Sequence, residues 1–216
     1  MRVSLIGPGN VEYHFKELLR MSEDRLIKHI ESIADVLIKS KVELVLLPDY
    51  GLSLDIAKKV KENGDNKIIA TIPLDDKELG YEHLKQFIDL KVGGKNLFDA
   101  QINTGNWYKQ DMTKCLFGDV ILFLGFSLGS MGELVYAFYL YKILGKYVNK
   151  INSEIVAGQT IPFTVLIYKP FVKGKLNFEI EEYINKAGGQ IYYIRNAKEL
   201  KEKLQESDNR NIYKSL

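Results

Sequence analysis

The chain has 216 residues, with 30 lysines and arginines against 28 aspartates and glutamates, and it is 46% hydrophobic. This is the composition of a globular domain that buries a core without staples, and a net charge of +2 lacks the basic excess of a nucleic-acid binder. The single cysteine forbids an intrachain disulfide, MRVSLIG reads as a strand and not a signal peptide, and no apolar stretch reaches membrane-span length, so the expectation is a cytoplasmic protein without membrane or nucleic-acid partners.

In chain order, RVSLIG (2–7) is an apolar run closed by the turn cluster GPGN. From Ser22, a plausible N-cap, the residues Leu26, Ile27, Ile30, Ile33, Ala34, Leu37 and Ile38 recur at helical spacing, and Glu23 and Asp24 suit the positive end of the helix dipole. VELVLLP (42–48) is a second buried strand, followed by DYG and the helix SLDIAKKVKENG; KIIATIP (67–73) is a third strand. This alternation predicts a parallel sheet with helices on both faces. Residues 75–106 hold one predicted helix, Tyr81 to Leu90, and the loop KVGGKNLFDAQINTGN, long enough for a lid or a pocket wall. A helix around Tyr108 to Phe117, the strand DVILFLG (119–125) and a helix beginning near Met131 come next. PFTVLIY (162–168), FEIEEYINKAGG (178–189), QIYYIR (190–195) and AKELKEKLQES complete the pattern as strand, helix, strand and helix. The expected fold is α/β: a single doubly wound, Rossmann-like domain over 1–207 with a mostly parallel sheet, and a polar tail over 208–216.

In such sheets ligands bind beyond the carboxyl ends of the strands, which directs attention to GPGN, DYG, IPLDD and GFSLGSMGE. The last of these, Gly125 to Glu133, has two readings. Ser130 and Glu133 have the S-x-x-E spacing of a capping box, with Gly125 and Gly129 supplying a tight turn. The same helix N-terminus offers backbone N–H groups to a phosphate, with Gly129 and Gly132 leaving room and Ser127 and Ser130 adding hydroxyls. The stretch is neither G-x-G-x-x-G nor a P-loop, which argues against nicotinamide and Walker-type ATP sites.

The segment DVILFLGFSLGSMGELVYAFYLYKILGKY resembles the strand-turn-helix of the LOG-like family in the SLOG superfamily, often mislabelled "lysine decarboxylase". Asp119 falls on the family's aspartate, and Gly129, Ser130 and Glu133 fall on its G-T-x-x-E, with serine for threonine. VELVLLPDYGLSLDIAKKVKENG, KIIATIP and GQIYYIRNAKELKEKLQE match further parts in order, so the resemblance spans nearly the whole chain. The family's P-G-G is Gly125, Phe126 and Ser127 here, and its glycine-rich second turn is reduced to Pro48, Asp49, Tyr50 and Gly51. The place of its Arg-Lys pair is taken by Gln110 and Asp111, with Lys109 adjacent. Glutamine supplies no charge and lysine lacks the planar fork, which argues against the family's phosphoribohydrolase activity.

The resemblance implies a ligand site that includes Gly51 and Gln110, with Glu133 as a catalytic acid or base near a ribose. Such a reaction needs a cation opposite Glu133, for which Arg2, Arg20 and Lys109 are the candidates. Gly7, Gly9 and Asn10 either approach the ligand or only end a strand. Thr104 or Asn106 either caps the next helix or, with Trp107, borders the pocket as the matching segment does in LOG-like proteins. His14, His29 and His83 are dispersed, with His29 on a polar helix side, and Cys115 reads as a small buried residue, so neither a metal site nor a resident cofactor is expected. Tyr136 and Tyr139 lie off the face that Leu134, Phe138 and Tyr141 give to the core, and the family's dimer contact at this helix implies a homodimer. The leading expectation is a protein binding a nucleotide or phosphoribosyl-type ligand without hydrolase activity. The alternatives are a nucleoside 5′-monophosphate phosphoribohydrolase and a carrier of a phosphate-bearing cofactor such as a pterin.

Overall fold

The computed structural model describes residues 1–77, 82–148 and 163–212. The strands β1 (Arg2–Ile6), β2 (Glu43–Leu46), β3 (Ile68–Ile72), β6 (Ala100–Asn103), β7 (Val120–Phe123), β8 (Thr164–Tyr168) and β9 (Gln190–Ile194) form one sheet in the order β6-β3-β2-β1-β7-β8-β9. Every pairing in it is parallel. The central strands are buried on both faces, which is why they read as continuous apolar runs and not as alternations.

Two helical layers cover the sheet. Alternate strand residues such as Val3, Leu5, Leu44 and Leu166 face α1 (Glu23–Lys39), α2 (Leu52–Asn63) and α7 (Ala197–Ile212). Ile6, Ile121, Phe123, Val165 and Ile167 face the other way, toward α4 (Trp107–Phe117), α5 (Leu128–Val148) and α6 (Phe178–Lys186). Each fully buried Leu, Ile or Phe side chain contributes about 1.5–3 kcal/mol of transfer free energy, so these layers hold the sheet together. Among the described residues no helix is long and apolar enough to cross a membrane.

The structure departs from the sequence expectations at several places. The connection after β3 holds α3 (Glu82–Ile88), a hairpin of β4 (Lys91–Val92) and β5 (Lys95–Asn96), and the edge strand β6. β6 has the sequence AQIN and is only partly buried, so no apolar run marks it; pairing of Ala100 with Ile69 makes it a strand. Tyr81, the expected start of α3, and Pro162, ahead of β8, lie outside the described residues. GPGN leads directly into a wide helical segment, Glu12–Leu18, which buries Phe15. α7 continues to Ile212, into the stretch expected as tail, and 213–216 lie outside the described residues.

His29 is not on a solvated face. Its Nδ1 lies 3.0 Å from the Tyr168 hydroxyl, and its ring meets Phe171 edge-on. Burial holds the His29 and His14 rings below the ordinary histidine value of 6.5; Arg25 adds to the effect at His29, while the Phe171 carbonyl opposes it at His14. A lowered folded-state pKa means that the unfolded chain takes up protons first as pH falls. The associated stability is present above the unfolded value and is lost as pH falls through the folded one. Between about pH 7.5 and about pH 5.5, the parent protein should therefore lose more Tm than a His14→Asn, His29→Asn double variant, as measured by thermal melts.

Candidate functional site

The order of strands reverses between β1 and β7, the position where a doubly wound sheet opens a crevice at its carboxyl edge. Here the turns after β1, β2 and β7 come together around Pro8. Gly51 has φ +126°, and a Cβ on it would lie 2.6 Å from the Pro8 carbonyl oxygen. Gly125 has φ +154°, and a Cβ there would lie 2.8 Å from both His14 Nε2 and Pro8 Cγ. Only glycine meets both the backbone conformation and the space at these positions. Gly7 and Gly9 belong to the same cluster, and the Asn10 side chain is committed to the helical segment beyond, accepting the Tyr13 N–H at 3.0 Å.

α5 begins at Leu128, and its capping pair is Ser127 with Ser130, not Ser130 with Glu133. Ser127 Oγ accepts the Ser130 N–H at 3.2 Å, and Ser130 Oγ accepts the Ser127 N–H at 2.9 Å. Ser130 Oγ also donates to the Gly125 carbonyl at 2.6 Å, so this hydroxyl, on a residue only 2% exposed, faces inward and locks the turn. The first turn of α5 is otherwise open. Leu128 is 96% exposed, an added Cβ on Gly129 or Gly132 would meet nothing within 4 Å, and no acidic residue lies there to repel an anion.

Freed from capping, Glu133 turns inward. Its Oε2 lies 2.8 Å from Lys114 Nζ, the two side chains being 14% and 4% exposed. Thus the cation opposite Glu133 is Lys114 of α4, and none of the three candidates read from the sequence: Arg2 pairs with Glu43 at the amino end of the sheet. Burial pushes the Glu133 carboxyl up; Lys114 opposes this and Asp111 reinforces it. Burial disfavours the Lys114 ammonium, but Glu133, Cys115 and Asp111 together outweigh it and hold the lysine above its ordinary range. Cys115 is buried beside them, its thiol pushed well up by burial and kept protonated.

Gln110 is fully buried in the same network. It accepts the Thr71 hydroxyl at 3.1 Å and donates to Asp111 at 2.8 Å, so it serves the interior. The signal for Lys114 was present in sequence, because it falls one helical turn after Gln110 and Asp111, on their face. Asn106 caps α4, its side chain accepting the Lys109 N–H at 3.0 Å. Thr104 is buried, and its hydroxyl has no partner among the described residues. Sequence reading also missed a hydrogen-bonded pair at this edge, Asp49 with His83, 2.9 Å apart, because the two lie in different elements. Among the described residues no group of three or more His, Cys, Asp or Glu side chains could hold a metal ion.

No protein-family model matches the sequence, and no curated protein matches it. Solved structures do match in fold. The molybdenum cofactor carrier protein of Chlamydomonas reinhardtii superposes with a TM-score of 0.56 at 14% identity, covering 96% of this chain and 98% of the other. The molybdenum cofactor binding protein of the phototrophic bacterium Rippkaea orientalis gives 0.55 at 13% identity, covering 95% of each chain. TM1055, a structural genomics target, gives 0.56 at 14% identity over 95% of this chain and 98% of its own. At such identities the likeness shows the fold alone, a Rossmann-like α/β domain, and lends nothing to the decarboxylase label.

Replacing Lys114 by methionine would strand the Glu133 carboxylate in the interior. Lys114→Met should destabilise the protein by about 3–5 kcal/mol in urea unfolding, whereas Lys114→Met with Glu133→Leu should recover most of that loss.

Proposed function

We propose that this protein binds and carries a phosphate-bearing heterocyclic cofactor of the pterin class, with the phosphate on the first turn of α5, and does not hydrolyse it. The observation that carries the reading is the inward Glu133. Its pairing with Lys114 draws the Glu133 carboxylate away from the first turn of α5, which carries no acidic residue of its own. Backbone N–H groups and the helix dipole suit a phosphate there, and the serine pair fixes their direction. The carrier role draws support from the fold neighbours, two of which are a molybdenum cofactor carrier and a molybdenum cofactor binding protein. A cofactor of that kind would supply its own metal and sulfur chemistry. Cys115, buried and protonated, would not serve as a ligand to it.

A nucleotide presents the same combination of phosphate and flat ring, and nucleotide binding at this turn is the second reading. N-Glycosidic hydrolysis is disfavoured because Glu133 would have to leave Lys114 to reach a ribose. Gly129→Glu tests the phosphate position without disturbing the core, since nothing lies within 4 Å of an added Cβ. An acid in the first turn favours the free helix by about 0.3–1 kcal/mol and repels a bound phosphate. Melting of the free variant should therefore hold or rise, while its affinity for AMP, GMP or a pterin phosphate, read by calorimetry, falls by at least about tenfold. Undiminished affinity removes the phosphate from this turn, and release of free base from AMP or GMP restores the hydrolase reading.

Val135, Tyr136 and Tyr139 stand exposed along α5 while Leu134, Ala137 and Phe138 fill the core. We assign this outer side to a homodimer contact. Tyr139→Glu should convert a dimer to a monomer in light scattering, and an unchanged mass moves the contact elsewhere.

A further inference from the structure

Beyond the first turn of α5, the ends of β2, β3 and β6 carry an aromatic shelf in which Tyr50 and His83 stand exposed over the buried Phe87. Tyr50 follows β2, is 63% exposed, and sets its ring edge-on to Phe87 at 4.4 Å. His83 stands 6.2 Å from Phe87 and 6.5 Å from Trp107, the first residue of α4. Between them lies Asp49, whose Oδ1 accepts the Tyr50 N–H at 2.7 Å and the His83 Nε2–H at 2.9 Å. Its other oxygen, Oδ2, has no partner among the described residues. At the end of β6, Thr104 adds a buried hydroxyl with no partner among the described residues, a group that calls for water or ligand. The shelf adjoins the turns around Pro8, since an added Cβ on Gly9 would lie 3.6 Å from the Tyr50 carbonyl oxygen.

A partly exposed Asp–His pair adds little to stability, and exposed rings add less than buried ones. The arrangement makes better sense as recognition. Aromatic faces accept a flat ring, and a carboxylate, which can only accept, reads N–H donors on that ring's edge. With Oδ1 held by Tyr50 and His83, the two lone pairs of Oδ2 can accept from adjacent donors, a ring N–H beside an exocyclic amine.

We propose that this shelf is the ring-recognition subsite of the protein, and that Asp49, held by His83, selects the 2-amino-4-oxopyrimidine edge shared by pterins and guanine. Trp107 and Tyr50 flank the ring. The inference rests on the carrier reading above and supplies its ring specificity.

Trp107 is the only tryptophan in the chain, so its fluorescence reports on the shelf directly. The test uses phosphate-free probes in two pairs, 6-methylpterin with 6-methyllumazine and guanosine with inosine, each pair differing at the 2-amino group. The amino-bearing member should bind about 10- to 100-fold more tightly, the range expected for hydrogen bonds to a charged acceptor. The pair that shows the difference identifies the source of the ring. Asp49→Asn should abolish the discrimination and His83→Gln should reduce it, with melting temperatures confirming that both variants fold. Equal affinities within both pairs, absence of binding by all four probes, or discrimination that survives Asp49→Asn overturns the proposal. Because no probe carries phosphate, the shelf can fail while Gly129-dependent phosphate binding stands, and the converse holds as well.

Discussion

The carboxyl edge of this protein is organised by a steric constraint at Pro8. The turn after β1 lies so close to the turns after β2 and β7 that a single methyl group on Gly51 or Gly125 would overlap backbone, proline ring or imidazole. That closeness joins the two halves of the doubly wound sheet at their point of reversal. It also sets where α5 starts. The Gly125 carbonyl receives the Ser130 hydroxyl, and the Ser127–Ser130 exchange then directs the first turn outward. The open end of α5 is thus a consequence of contacts made beneath it.

The second organising feature is the buried pair of Lys114 and Glu133 between α4 and α5. Replacing such a pair by apolar side chains is often neutral or stabilising, so its presence is weak evidence for a gain in stability. Its structural consequence is clear. Glu133 is withdrawn from the surface, and the network through Asp111, Gln110 and Thr71 couples α4 to the sheet. Glu133 is part of the interior. The first turn of α5 carries no acidic residue, and the Asp49 carboxylate at the same edge is held by the Tyr50 N–H and His83.

Most of the sheet was legible in the sequence because parallel strands buried on both faces leave long apolar runs, as in VELVLLP and VILFL. β6 was not legible, since an edge strand with the sequence AQIN needs a partner before it needs burial. The wide helical segment Glu12–Leu18 was hidden for a related reason: GPGN announces a turn, and Phe15 is the one fully buried apolar side chain in the segment, too little to mark a helical period. At the site, the glycine positions were recognisable, but the roles of the polar residues were not. S-x-x-E and S-x-x-S both permit a capping box, and local spacing cannot choose between them when a distant lysine competes for the glutamate.

Composition and periodicity by themselves determined the α/β class, the parallel arrangement and the glycine-rich turns at the carboxyl edge of the sheet. These depend on burial and backbone freedom, which each segment carries within itself. Tertiary structure alone decided which polar and charged groups meet: Glu133 with Lys114, Asp49 with His83, and His29 with the Tyr168 hydroxyl. Their partners come from separate elements, and the preference of a buried charge or polar group for a partner has no direction along the sequence until the fold brings one within reach.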